Sequence, residues 1–174
     1  MFLRHLLSIV LLPFLVVVIV PWALLGGSDE VRPADHLWFR LRSFAGVILF
    51  VWGFAFFAWC VSLLARVGRG TLAPWDPTRR LVVAGPYRYV RNPMISGVAL
   101  MLLGEAAFWG SRAVGLWAAS FLAINHLYFV LSEEPGLERR FGQEYRTYKA
   151  EVPRWIPRLR PWVGARPARG SEAG

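Results

Sequence analysis

Two polar clusters stand directly beside strongly apolar stretches of the chain. The first, GPYRYVRNPMISG at residues 85–97, holds two arginines, two tyrosines and an asparagine, and the second is Glu133-Glu134. A helix that begins at Asn92 would present free backbone amides and the positive end of its dipole, which suit a bound carboxylate. Two adjacent carboxylates could receive an ammonium group or ribose hydroxyls, or offset another positive charge. Together the clusters suit a ligand that carries charges of both signs.

Each cluster also has a simpler interpretation. Arginines beside apolar runs set the orientation of membrane proteins, and carboxylates at a helix end can serve only to keep that end hydrated. The composition supports a membrane setting, because 56% of the 174 residues are hydrophobic and 15% are aromatic. The net charge of +9 comes mainly from arginines at the ends of apolar segments, so we expect no nucleic-acid partner.

Four apolar runs approach the length of about 20 residues that crosses a bilayer core. They cover residues 6–25, 43–65, 92–110 and 113–132. The first run could instead be a cleaved signal peptide, because basic residues precede it. We predict an all-α integral-membrane helical bundle with about four transmembrane helices. Residues 1–160 would form one domain, and residues 161–174 a disordered tail.

The basic residues also predict an orientation. Most of them fall at the two termini and in the loop 66–92, so both termini and this loop should face the cytoplasm, in our prediction that of a bacterial inner membrane. Residues 133–160 mix charged and apolar side chains at helical spacing and contain several prolines. We predict a short amphipathic helix on the membrane surface, followed by a segment that the prolines break.

Metal and disulfide chemistry find little support in the sequence. Cys60 is the only cysteine, which excludes an intrachain disulfide, and the three histidines, His5, His36 and His126, lie in separate segments. We therefore expect no metal site. The sequence gives no indication of the oligomeric state.

The order of the motifs is similar to that of a known enzyme family. LVVAGPYRYVRNPMISG, then two apolar spans, then EEPGLERRFGQEYRTYKAEVPRWIP resemble the integral-membrane isoprenylcysteine carboxyl methyltransferases, to which phosphatidylethanolamine methyltransferases are related. The resemblance covers roughly residues 43–160. It implies methyl transfer from S-adenosylmethionine to a lipid-like or prenylated acceptor in the membrane. The alternatives are a reductase of the similar sterol-reductase architecture, with a nicotinamide cofactor, and a non-catalytic membrane scaffold.

The resemblance also implies a set of cofactor-binding residues. Tyr87 is similar to the family tyrosine that packs against the cofactor, and Leu81-Val82 to a strand-like stretch beneath the adenine. Asn92, Pro93, Met94 and Ile95 occupy the place of the family's H-P-x-Y, so an asparagine replaces the histidine and an isoleucine the tyrosine. Glu133 matches the glutamate that contacts the cofactor. We expect Glu134 at the same site, where it would act mainly as a structural partner.

The acceptor side departs further from the family. Phe129 stands where prenylcysteine enzymes have an arginine that helps to hold the substrate carboxylate. Seven residues before Glu133, on nearly the same helix face, lies His126, with Asn125 beside it. His126 could orient or deprotonate a lipid head group, or simply bond to a neighbouring helix. Glu105, the other ionisable residue in an apolar span, should face a cavity or pair with His126.

The mechanism that the resemblance implies is an in-line transfer to a membrane-resident nucleophile, in which the enzyme positions the reactants and excludes water. An amine acceptor would have to lose a proton, which would give His126 or Glu105 a direct role. Gly97 and Gly104 are seven residues apart on one helix face. We expect them to let the third and fourth spans pack closely.

Overall fold

The computed structural model describes residues 12–27, 36–67 and 81–164. Every regular element within these residues is helical, which confirms the predicted all-α fold. We number the helices in chain order: α1 covers Leu12–Gly26, α2 His36–Val67, α3 Pro93–Trp109, α4 Arg112–Tyr128 and α5 Glu134–Glu151. A 3₁₀ turn at Gly85–Arg88 precedes α3, and a π-helical segment at Phe129–Glu133 joins α4 to α5.

Two helical stretches are long and apolar enough to cross a membrane, Leu37–Val67 and the run Arg112–Glu151, whose apolar part ends at Ser132. The other two apolar helices, α1 and α3, are shorter than the predicted spans. Helix α3 has 17 residues, about 26 Å at 1.5 Å per residue. The first residues of the first predicted span, like the expected tail after residue 164, lie outside the described residues.

The fourth span and the amphipathic helix were predicted as separate elements, and the structure joins them without a loop, although the helix is broken inside α5 at Gly142, whose φ of 54° and ψ of −127° are not helical. The join is a wider turn, in which the backbone N–H of Glu134 bonds to the carbonyl of Phe129. Pro135 follows directly, and a proline ring in a helix clashes with the carbonyl four residues earlier. A π-helical turn relieves that clash. The predicted break after the helix is confirmed, since no regular element follows Glu151 among the described residues.

Helix α1 shows the same relation between a proline and a wide turn. Its π-helical segment at Leu15–Ile19 ends just before Pro21. In this register the residue at position 21 would donate to the carbonyl of Val16, but proline has no N–H. The indole N–H of Trp117 in α4 donates to that carbonyl instead, at 3.0 Å. The missing backbone bond of α1 thus becomes a link to α4.

Helices α2 and α3 cross at two pairs of glycines. A Cβ at Gly46 would lie 2.6 Å from the carbonyl oxygen of Gly104, and a Cβ at Gly53 would lie 2.7 Å from that of Gly97. Only glycine lets the two backbones approach so closely. The expectation that Gly97 and Gly104 pack the third span against the fourth was therefore wrong, because their close contacts are with the second.

Candidate active site at the polar end of the bundle

One end of the bundle carries most of the polar contacts; we call residues 81–92 and 133–162 the polar end. The segment after α5 is held against the approach to α3 by backbone hydrogen bonds. They run from Arg91 N to Pro153 O at 2.9 Å, from Arg158 N to Tyr89 O at 3.0 Å and from Trp162 N to Arg88 O at 2.9 Å. Both predicted motifs therefore belong to one connected structure.

Glu134 lies at the centre of this end and is surrounded by cations. Arg91 Nη1 donates to its Oε1 at 2.8 Å, Arg154 Nε donates to the same oxygen at 2.9 Å, and Lys149 Nζ lies 3.0 Å from Oε2. Burial opposes ionisation of this carboxyl, but the bonds from Lys149 and Arg154 and the charge of Arg91 outweigh it, so the pKa of Glu134 is lowered. Both carboxylate oxygens of Glu134 are therefore paired within the polar end.

Glu133 has the opposite surroundings. No hydrogen bond or ion pair joins its carboxylate to any part of the chain that the structure describes. Burial, and then the charge of Glu134, raise the pKa of Glu133 to about 7. A half-buried carboxylate without a cation is costly in the ionised form, so this position would gain from a positively charged ligand.

Tyr87 lies in the 3₁₀ turn Gly85–Arg88 that precedes α3. Burial raises the pKa of the Tyr87 phenol above its ordinary value, and Cys60, Tyr148 and Glu133 add to the rise. The Tyr87 ring packs with Cys60 and Val82, while its backbone carbonyl accepts the Tyr148 hydroxyl at 2.6 Å. The polar end therefore contains both the tyrosine and the glutamate for which the resemblance implies cofactor contact.

The other residues predicted for the cofactor divide between different surfaces. Met94 packs against the Tyr87 cluster, whereas Leu81 packs against Tyr145, Tyr148 and Val152. The stretch Leu81-Val82 was expected to be strand-like, but it belongs to no regular element. Its two side chains nevertheless belong to different clusters, Val82 to that of Tyr87 and Leu81 to that of Tyr148.

The start of α3 matches the prediction in position but not in detail. Asn92 occupies the N-cap and Pro93 the first turn, yet the Asn92 side chain makes no capping hydrogen bond. Its backbone carbonyl accepts from both the N–H and the hydroxyl of Ser96, each at 3.2 Å. Ile95 packs into the central core with Val98 and Leu102, away from Tyr87. The isoleucine that replaces the family tyrosine is therefore a core residue.

An open cleft of about 720 Å³ lies beside this site. Pockets for small molecules commonly have about 300 to 1,000 Å³. One wall is formed by residues 81 and 83–85 and the other by polar side chains together with Trp162; the latter are Arg88, Gln143, Glu144 and Thr147. Of the predicted cofactor residues only Leu81 lines this cleft. Arg88 and Trp162 were missed, although Arg88 stands within the quoted GPYRYVRNP motif.

The predicted acceptor residues are not brought together. His126 Nδ1 lies 3.2 Å from Arg154 Nη1 and 3.1 Å from Trp155 Nε1, and Asn125 donates to the carbonyl of Phe121 in its own helix at 2.8 Å. The pairing of Glu105 with His126 was wrong. Because α3 and α4 run antiparallel, Glu105 is about 15 Å nearer to their connecting turn than His126 is.

Glu105 instead meets the other half of its expectation, a cavity. It lines a crevice of about 230 Å³ between α2 and α3, with Phe108 and Trp109 among its neighbours. Its Oε2 atom is buried without a hydrogen-bond partner among the described residues. This position lies near the opposite end of the bundle, so Glu105 is not part of the site that contains Glu133.

Phe129 explains how the site differs where the family has an arginine. The Phe129 side chain is buried and its ring lies 6.0 Å from that of Trp155. A guanidinium nevertheless reaches this region, because Arg154 arrives from the segment after α5 and bonds to Glu134. Arg154 stands in the sequence VPRWIP, but nothing in the spacing shows that this segment folds back so that Arg154 contacts Glu134, 20 residues earlier.

Two helices are long and apolar enough to cross a membrane, and two adjacent carboxylates lie at the polar end of the bundle. The family comparison specifies the class: the model of the phospholipid methyltransferases matches residues 41–144, so the chain belongs to the phospholipid methyltransferase family. The match runs from α2 into α5 and includes Tyr87 and both glutamates. The family result supports methyl transfer onto a lipid-like membrane acceptor, with S-adenosylmethionine as the general donor.

A curated relative supports the match without specifying it further. An uncharacterized protein of Haemophilus influenzae is 33% identical over 63 residues, which are 36% of this chain and 100% of the relative. No solved structure matches the chain. The family result thus favours the methyltransferase over the reductase and the scaffold.

Proposed function

We propose that this protein is an S-adenosylmethionine-dependent methyltransferase whose cofactor binds at the polar end, between Tyr87 and Glu133. The observation that carries the proposal is the difference between the two adjacent glutamates. Glu134 is paired with three cations, whereas Glu133 is half-buried and has no such partner among the described residues. S-Adenosylmethionine carries an ammonium and a sulfonium, either of which would complete this site.

The residues present fit the rest of the cofactor as well. The first turn of α3 has backbone amides that the Asn92 side chain does not cap, and such amides suit a carboxylate. Leu81, Val83 and Ala84 offer an apolar wall of the adjoining cleft, which is large enough for an adenosine group. Tyr87 would pack between these two parts, where Met94 already contacts its cluster.

The bound cofactor would supply an electrophilic methyl group, and the chain would position the reactants. Tyr87 and Met94 present apolar surface that excludes water from the reacting centre. Glu133 would offset positive charge and hold the cofactor in one orientation, and such positioning lowers the barrier of a reaction between two bound molecules. No residue of the chain has to form a covalent intermediate.

The proposal also concerns the chemical class of the methyl acceptor. The resemblance to the prenylcysteine enzymes favours a lipid-like or prenylated molecule that reaches the site from the bilayer. Arg154 could take the place of the cation that Phe129 lacks, although two of its nitrogen atoms already bond to Glu134. We also propose that the polar end faces the cytoplasm of a bacterial inner membrane, in agreement with the distribution of arginines.

A direct test uses the purified full-length protein in detergent. Calorimetric titrations with S-adenosylmethionine and with NADPH separate the candidate classes. We expect binding of S-adenosylmethionine alone; binding of NADPH alone would overturn the proposal, and binding of neither would favour a scaffold. Transfer of a radiolabelled methyl group into phospholipid vesicles or into a farnesylcysteine analogue would then identify the acceptor class.

A further inference from the structure

Two hydrogen-bond donors converge on one nitrogen of His126. Trp155 Nε1 lies 3.1 Å and Arg154 Nη1 lies 3.2 Å from His126 Nδ1. The indole ring of Trp155 also stacks on the imidazole, with centroids 6.3 Å apart and an interplanar angle of 29°. The three side chains therefore form a compact cluster on the exposed face of α4.

The chemistry of these donors determines the tautomer. An indole N–H and a guanidinium can only donate, so each of them requires a lone pair on its partner. Nδ1 must then be the unprotonated nitrogen, and the proton of the imidazole resides on Nε2. His126 Nε2 makes no hydrogen bond within the described part of the chain and is free to donate to another molecule.

Both donors are themselves held in place. Arg154 directs its Nε and Nη2 atoms to Glu134, and the Trp155 ring lies against the buried Phe129 ring. The backbone just before them is fixed by the bond from Arg91 N to Pro153 O. The imidazole orientation is thus set by the segment after α5 and not by α4 alone.

We propose that His126 serves the reaction as a hydrogen-bond donor to the acceptor, through Nε2–H, and that Trp155 and Arg154 are positioning residues that enforce this role. The group recognised would be an oxygen of the acceptor's head group, such as a phosphate, carboxylate or carbonyl oxygen. This role replaces the general base that the sequence allowed, because a nitrogen that already carries a proton cannot accept one. The acceptor part of the inference rests on the proposed function, whereas the tautomer does not.

The tautomer can be measured directly. Nitrogen NMR of the full-length protein with isotope-labelled histidine distinguishes Nε2–H from Nδ1–H imidazole, and His126→Gln identifies the signal by its loss. We expect the Nε2–H form at neutral pH. Trp155→Phe keeps the ring stack but removes one donor, so a detectable share of the Nδ1–H form should appear. The Nδ1–H form in the unaltered protein would overturn the inference.

Methyl-transfer assays separate a donor from a base. A glutamine side chain can donate a hydrogen bond but cannot act as a base at neutral pH. With phospholipid vesicles as acceptor, or the farnesylcysteine analogue if only that is methylated, His126→Gln should turn over about tenfold faster than His126→Ala, with equal cofactor affinity. Equal, low turnover of the two variants would overturn the donor role. Failure of the unaltered protein to bind S-adenosylmethionine would instead overturn the proposed function.

Discussion

The polar end and the crossing of α2 with α3 are held together by different means. At the crossing, Gly46 meets Gly104 and Gly53 meets Gly97 through backbone atoms, with no ion pair between these residues. At the polar end, long-range backbone hydrogen bonds and the cations around Glu134 join residues that are far apart in the sequence. The bundle is therefore stabilised by close approach, and the site by a buried ionic network.

The two regions have different tasks: the glycine crossing stabilises the spans, and the polar end carries the candidate site. A membrane interior offers little hydrophobic drive between helices, so small residues that allow close packing stabilise the spans. The polar end can then hold charged groups without having to hold the bundle. Glu134 and its cations form the rigid part of that end, which leaves the adjacent Glu133 available for a ligand.

The largest effect should follow from breaking the ionic network. Glu134→Gln leaves Arg91 and Arg154, which are 10% and 16% exposed, without their carboxylate. Removal of one partner of a buried ion pair typically costs about 3 to 5 kcal/mol. We expect a loss of about 3 kcal/mol in the free energy of unfolding, measured by thermal or denaturant unfolding in detergent.

Two controls sharpen this prediction. Glu138→Gln removes a 30% exposed carboxylate whose partner Lys149 keeps its contact with Glu134, so the cost should be below about 1 kcal/mol. The lowered pKa of Glu134 also contributes stability that is present above its ordinary value of 4.5 and is lost as the pH falls through the lower folded value. That part of the acid dependence should vanish in Glu134→Gln, and equal losses in both variants would contradict the network.

A smaller loss should follow from changing the glycine crossing. In Gly104→Ala the new Cβ would lie 2.7 Å from the Gly46 carbonyl oxygen and 2.7 Å from Phe50 N, so α2 and α3 must move apart. Overpacking of this kind costs about 1 to 3 kcal/mol. Thermal unfolding should show it, with little change in cofactor affinity for the folded fraction.

Gly115→Ala is the matched control, because its Cβ would meet only Ala106 Cβ, at 3.9 Å. Alanine favours a helix over glycine by about 1 kcal/mol in water, so this variant should be neutral or stabilised. A stable Gly104→Ala protein would show that the glycines are not needed for the crossing.

The smallest effect concerns pH and the free glutamate. The pKa of Glu133 is raised to about 7 by burial and by the charge of Glu134. A positively charged cofactor favours the ionised form, so affinity should rise as the pH increases towards 7 and fall by up to about tenfold per pH unit below it. Below its raised pKa, binding should also release a proton, which calorimetry in buffers of different ionisation enthalpy detects.

A flat affinity between about pH 5.5 and 8, with no proton release, would show that Glu133 does not meet the positive charge. The same titration with Glu133→Gln should be flat in either case. This comparison isolates the contribution of one carboxylate without a change in fold.

Much of the fold follows from local features of the sequence. Pro93 begins α3 and Val152-Pro153 follows α5, as expected from backbone restrictions that act within a few residues. The π-helical turns were not predicted, yet Pro21 and Pro135 mark both of them. The spacing of Gly97 and Gly104 identified a packing face correctly but not the helix that covers it.

The site was less accessible to the sequence because its contacts are long-range. Glu133 and Tyr87 were predicted together through the resemblance, whereas the positions of Arg154 and Trp155 depend on how the segment after α5 folds back. A periodic sequence pattern cannot show that a segment folds back onto an earlier part of the chain. The same limit explains the incorrect pairing of Glu105 with His126, which share a membrane setting but lie at different depths.

The central claim is that the Glu133 carboxylate binds the cofactor directly, in addition to any support from the ionic network around Glu134. Calorimetric titration of S-adenosylmethionine into Glu133→Gln, with Glu138→Gln as the control, tests it most directly. The account predicts that Glu133→Gln weakens binding by about 1.5 to 3 kcal/mol, the range for a hydrogen bond to a charged group, while Glu138→Gln changes it by less than about 0.5 kcal/mol. Equal, small changes in two folded variants would contradict the account.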